Sequence, residues 1–210
     1  TFRGAYLGPT RTPAERVRMG YDAIRRGAGD DAYILGCGAP LASTVGLVDA
    51  MRIGSDVAPY WLPRDPEPGT EYQAPSVRNA YINTVSRTWQ HRRLWQNDPD
   101  CLMLRHSETD LTDVEIATWS AAVAVSGGLA LVSDDLALLG ERERALLDRV
   151  IEVGRAADAA SLGPDEPRCA DLMRPGGPTS ISGGGASMTA DPERPVPSFG
   201  GTATGFGTDS

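Results

Sequence analysis

Cysteine, histidine and positive charge are all scarce in this sequence. The three cysteines, Cys37, Cys101 and Cys169, are odd in number and far apart, with no CxxC pair and no zinc-ligand spacing. That argues against a disulfide framework and points to a reducing, cytoplasmic compartment. His91 and His106 stand without partners at ligand spacing, so they read as surface or internally satisfied groups. Lys and Arg number 20 against 28 Asp and Glu, and the resulting net charge of −8 repels phosphate backbones and anionic lipid surfaces. Neither nucleic acid nor a membrane is expected as a partner. No stretch approaches the roughly 20 apolar residues that span a bilayer, and no basic region followed by an apolar run opens the chain. The glycine signatures of dinucleotide and nucleotide phosphate loops are missing too, so Gly36-Cys37-Gly38 is not a phosphate loop. No cofactor or metal is expected.

What is present is enough apolar content, 40%, to bury a core, arranged as helices alternating with strands. Thr12-Pro13-Ala14-Glu15 is a capping box with proline at the first helical position, and Ala14, Val17, Tyr21 and Ile24 recur on one face of the helix that follows. Gly27 and Gly29 stop it. Ala32 to Cys37 then reads as a strand covered on both faces, and Gly46 to Ile53 as a second strand. A loop studded with Pro59, Pro63, Pro66 and Pro68 leads to a helix marked by Val77, Tyr81, Thr84, Val85 and Thr88. Asn97-Asp98-Pro99-Asp100 turns into a third strand, Cys101 to Arg105. Thr112-Asp113-Val114-Glu115 is a second capping box, whose helix ends at Gly127-Gly128. Leu129 to Val132 is the fourth strand, and Leu146, Leu147, Val150 and Ile151 stripe a last helix running to about Gly154.

Four strands separated by helical segments call for an α/β fold with a parallel sheet, either doubly wound or half of a (β/α)8 barrel. The chain therefore divides into a folded part, 1–173, and a tail, 174–210. The tail holds nine Gly and five Pro in 37 residues, above the roughly 25–30% that marks low-complexity chain, and is expected to be disordered.

In either fold the site lies at the carboxyl ends of the strands. Cys37 and Gly38 follow the first, Arg52 to Asp56 the second, Arg105 the third, and Asp134 and Asp135 the fourth. Glycines beside Cys37 allow a sugar hydroxyl close approach, although a tight strand exit with a buried thiol explains them more simply. Asp56 with Arg52 could form an acid with its charge balance tuned by a neighbour, or a structural ion pair or helix cap. Trp61 could stack on a sugar ring, whereas Trp89, Trp95 and Trp119 read as core. Asp134-Asp135 reads as a cap for the turn Leu136 to Leu139.

Leu35-Gly36-Cys37-Gly38 and Gly46-Leu47-Val48-Asp49-Ala50-Met51-Arg52-Ile53-Gly54-Ser55-Asp56 resemble the fifth and sixth strand exits of the family 36 glycoside hydrolases, the melibiase-like α-galactosidases of clan D. The likeness continues through Arg93 to Cys101 and through Ser126-Gly127-Gly128, and covers roughly Thr1 to Gly154. It implies strands five to eight of a (β/α)8 barrel and a retaining mechanism on α-galactosides. Asp56 matches the acid/base, Arg52 the arginine touching sugar and acid, and Cys37 with Gly38 the galactose pocket. Thr1-Phe2-Arg3 resembles residues just after the family's nucleophilic Asp, which implies a nucleophile upstream and an inactive chain in isolation. Met51 and Val57-Ala58-Pro59 depart from the family's usual Trp and Asn-Thr-Asp. A related α-glycosidase specificity and an inactive sugar-binding fragment are the alternatives. Half a barrel would leave two open sheet edges, so self-association is also expected.

Overall fold

The computed structural model describes residues 11–161, and the expectation for the 174–210 tail lies outside them. The order of elements is α1 (Pro13–Ala28), β1 (Leu35–Gly36), α2 (Leu41–Thr44), β2 (Ala50–Arg52), α3 (Val77–Arg87), β3 (Gln96–Asp98), β4 (Cys101–Leu102), α4 (Asp113–Ser126), β5 (Leu131–Val132) and α5 (Glu141–Ala160). Short 3₁₀ turns stand at Thr88–Gln90 and Leu136–Leu138. It is a mixed α/β fold with small parallel sheets.

β1, β2 and β3 pair in that order and β4 pairs with β5, all in parallel. β3 and β4 belong to one short segment, interrupted by Pro99-Asp100. Among the described residues the strand order therefore follows the sequence without the reversal that marks a doubly wound sheet.

Two helices begin as their capping boxes predict. The Thr12 and Thr112 hydroxyls accept from the Glu15 and Glu115 N–H groups, and each glutamate reaches back to the cap. α1 ends at Gly29 (φ 82°), and α4 at Gly127 in the left-handed region (φ 70°), where a side chain would be strained. Gly128 is required for a different reason: a Cβ there would meet the Asn97 carbonyl oxygen at 1.9 Å. α5 does not stop near Gly154 but runs on to Ala160. The glycine faces the Ala124 carbonyl, 3.6 Å from where its Cβ would be, so it serves close packing against α4.

The larger core cluster joins α3, α4 and α5 to β4 through Val77, Tyr81, Leu102, Leu104, Ile116, Trp119 and Val150. A smaller one gathers Val48, Met51 and Trp95, with Tyr21 and Ile34 packed beside it. The strands are shorter than their apolar runs suggest, and β1 is not covered on both faces. Tyr33 and Leu35, two residues apart, point to the same face and are exposed, while Ile34 and Gly36 on the other face are partly or fully buried. Leu131 and Val132 of β5 are exposed at the opposite edge. Ile24, Ile151 and Trp89 also face outward, against the expected stripes and core; Trp89 stands on the 3₁₀ turn beyond α3 rather than on the helix.

Candidate active site

Register places the first two site residues. Arg52 ends β2 directly opposite Asp98, the last residue of β3, so a guanidinium and a carboxylate meet across neighbouring strands. Arg52 Nε lies 3.0 Å from Asp98 Oδ2, and Nη1 lies 2.9 Å from Asp100 Oδ2 and 3.2 Å from Asp56 Oδ1. Three carboxylates thus share one cation. Burial works to lower the pKa of Arg52, but Asp98 and then Asp100, with a smaller contribution from Cys37, outweigh it and push the pKa up, so the guanidinium is held firmly charged.

The three carboxylates differ in exposure. Asp98 is fully buried and Asp100 nearly so, while the Asp56 side chain is 72% exposed. The buried pair is heavily bonded. Asp98 Oδ1 accepts from the Asp100 N–H at 2.9 Å, and Asp100 accepts from the Cys101 N–H at 2.8 Å and the Val57 N–H at 2.9 Å. Burial of unpaired carboxylates would be prohibitive, and these contacts with Arg52 are what permit it.

The loop after Asp56 is anchored on α3. The carbonyls of Asp56, Tyr60 and Trp61 accept from the N–H groups of Ser76, Val77 and Arg78, satisfying donors that a helix start leaves open. Gly54 lets β2 run within 3.4 Å of the Ala80 carbonyl, measured from where its Cβ would stand. Trp61 is half-buried against the larger core and tilts onto Tyr81, ring centroids 6.1 Å apart.

Cys37 is exposed, not the buried thiol of the simpler reading, because it lies past the last paired residue of the edge strand β1. Gly38 beside it takes φ 63°. The chain thus brings Cys37, Arg52 and Asp56 to one end of the sheet and commits the Trp61 ring to packing. Asp134 and Asp135 divide their work: Asp135 caps the 3₁₀ turn by accepting from the Ala137 N–H, while Asp134 accepts from the Leu104 N–H at 2.8 Å and faces Arg105. Both histidines are satisfied, His91 by Asp158 and the Asn97 N–H, and His106 by Glu143 and Asp113. No cluster of side chains able to hold a metal occurs among the described residues, and no helix among them is long and apolar enough to cross a membrane.

Asp98 and Asp100 are the site residues that sequence reasoning missed. Starting the third strand at Cys101 made 97–100 a turn before it, when Gln96–Asp98 is itself strand and its carboxyl end carries both aspartates.

No family model matches the chain. Among solved structures it is similar to the Thermus thermophilus α-galactosidase in complex with stachyose, at 32% identity over 66% of this chain and 30% of that one, with a TM-score of 0.58. α-Galactosidase I from Mortierella vinacea matches at 17% identity, covering 70% of this chain and 41% of that one (TM-score 0.53). The Saccharomyces cerevisiae enzyme with raffinose matches at 18%, covering 68% and 34% (TM-score 0.52). The chain spans less than half the length of each of these structures, and over that span its fold is α-galactosidase-like.

Proposed function

We propose that this chain carries part of the active site of a retaining α-galactosidase related to glycoside hydrolase family 36, built on strands five to eight of a (β/α)8 barrel, with Asp56 as the general acid/base. The observation that carries the reading is the Arg52–Asp56 pair at the carboxyl end of β2, in parallel strands whose order follows the sequence. The 32% identity to the Thermus α-galactosidase supports the substrate class, a terminal α-galactoside on an oligosaccharide.

In this mechanism one carboxylate attacks the anomeric carbon while the other protonates the leaving oxygen and then activates water. Asp56 suits the second role because its carboxyl is open to solvent and to a ligand while Arg52 holds one oxygen. Asp98 and Asp100 do not suit the first, being buried and committed to Arg52 and to backbone N–H groups. On this reading the nucleophile is neither of the two buried aspartates. Cys37, Gly38 and Arg52 contribute to the galactose pocket, with Trp61 at its border.

The test is the leaving-group dependence of Asp56→Asn in the full-length protein. Turnover of alkyl α-galactosides, which need protonation for departure, should fall roughly 10²–10⁴-fold, while activated aryl α-galactosides lose far less in the glycosylation step. Equal losses on both substrates, or none, would remove Asp56 from the acid/base role.

A further inference from the structure

An acid that must deliver a proton to one oxygen has to be held in place. Asp56 is 72% exposed and leans on Arg52 at 3.2 Å, so the order it needs comes from its neighbours. That order converges on one buried carboxylate of the adjoining segment. Asp100 Oδ2 binds both Arg52 Nη1, the atom that contacts Asp56, at 2.9 Å and the N–H of Val57, the residue after Asp56, at 2.9 Å. Its other oxygen is anchored by the Cys101 N–H at the start of β4. Asp100 thus grips residue 56 twice, through the guanidinium that touches its side chain and through the peptide that follows it.

We propose that Asp100 is a positioning residue that holds the Asp56 carboxyl in its working orientation. The inference rests on the acid/base reading of Asp56. Two further features fit the role. Asp100 has a φ of 88°, a region where glycine would sit without strain, yet a carboxylate occupies it. Asp98, by contrast, binds Arg52 through Nε and supports Asp100 through its N–H, but makes no bond to residue 57. The two buried aspartates are therefore not equivalent. Both steady the guanidinium, and Asp100 alone of the pair also fixes the backbone beside the acid.

The experiment compares Asp56→Asn, Asp100→Asn and Asp98→Asn in the full-length protein. It measures kcat and KM on an alkyl and an activated aryl α-galactoside, alongside the thermal unfolding midpoint. Asp100→Asn should lower kcat/KM, which reports the glycosylation step, by roughly 10- to 100-fold on the alkyl substrate and by less than about threefold on the aryl substrate, whereas kcat on the aryl substrate also falls because Asp56 serves as the base that activates water. Asp98→Asn should shift this ratio less. Adding Asp100→Asn to Asp56→Asn should cost nothing further in selectivity, since the positioning residue acts through the acid. If Asp100→Asn does not fold, Asp100→Gly, which suits the positive φ, carries the same expectation. Equal losses of kcat/KM on both substrates, an additional selectivity loss in the double variant, or a larger shift from Asp98→Asn would overturn the proposal. If Asp56→Asn itself shows no leaving-group dependence, the acid/base reading has failed instead.

Discussion

The two sides of the site are held together by different forces. Toward the amino terminus, α1 has no fully buried residue, packs Tyr21 against the smaller cluster and is otherwise fastened by polar contacts: Arg25 donates to the Leu47 and Ala32 carbonyls and pairs with Asp49, and Arg18 donates to the Val45 carbonyl. Toward the carboxyl terminus, α4 buries nine of its 14 residues, and its run of small side chains lets α5 lie close. The candidate site straddles the boundary. Arg52 and Asp56 extend from β2 on the sparse side, and Asp98 and Asp100 reach them from the segment that leads into the dense side. The difference teaches where the order of the acid originates. An exposed aspartate gains definition from a neighbouring strand whose position the larger core fixes.

The dense side should be the more sensitive to deletion. Trp119 is fully buried at the centre of the larger cluster, and its Nε1–H donates to the Cys101 carbonyl at 2.9 Å, which also steadies the residue after Asp100. Trp119→Ala should destabilise the chain by about 3–5 kcal/mol through lost contacts and the cavity left behind. Denaturant unfolding followed by circular dichroism measures this. A loss under about 1 kcal/mol would mean that the larger cluster does not dominate stability.

His91 sits on the seam between sheet and helices, and titrates there. Its Nδ1 accepts from the N–H of Asn97 in β3, so the neutral ring carries its proton on Nε2 and donates it to Asp158 of α5 at 2.8 Å. Burial lowers its pKa and outweighs Asp158, which acts the other way. With the folded value below the ordinary value of about 6.5, the unfolded chain takes up a proton first as pH falls. Stability from this group is complete above about pH 6.5 and is lost as pH drops through the folded pKa. The lowered carboxylates Glu15, Asp113 and Glu143 act in a more acidic window, below their ordinary values. Unfolding midpoints at pH 7.5 and 5.5 should therefore differ more in the native chain than in His91→Gln. Identical pH dependence would show that the seam does not depend on a neutral His91.

How much of this was legible in the sequence depended on range. The capping boxes at Thr12 and Thr112 and the stops at Gly29 and Gly127 are local, settled within three or four residues, and are legible in the sequence, whereas Gly27 lies inside α1 and Gly154 inside α5. Polar burial was not legible. Asn97 and Asp98 are fully buried, but hydrophobicity marks them as turn, because what allows their burial lies elsewhere in the chain: the Arg87 and Thr88 carbonyls accept from the Asn97 amide, and Arg52, 46 positions away, pairs with Asp98. The same distance effect hid half of the site. Arg52 and Asp56 could be picked out four residues apart, whereas their buried partners become visible once the strand register is known. Ile24 and Ile151 show the opposite error: an apolar stripe gives the direction of a face, not whether anything covers it.

The smallest effect offers the most controlled test, because the same motif occurs once on each side. Thr12 and Thr112 make matching capping boxes, with each hydroxyl 3.3 Å from the N–H three residues on and each glutamate 2.6 or 2.7 Å from the cap N–H. Removing an N-cap hydroxyl typically costs about 1 kcal/mol when the helix forms part of the cooperative unit. For α4, with Trp119 and Ile116 packed below the cap, Thr112→Ala should lower global stability by about that amount. For α1, with no buried residue, opening of the first turn leaves the larger core intact, and Thr12→Ala should cost less than about 0.5 kcal/mol globally. The missing stability should appear instead as faster amide exchange at Glu15 and Arg16, whose N–H groups bond to Thr12. Equal global losses for the two variants would show that α1 unfolds together with the rest. The contrast between the two sides would then be one of packing alone and not of cooperativity.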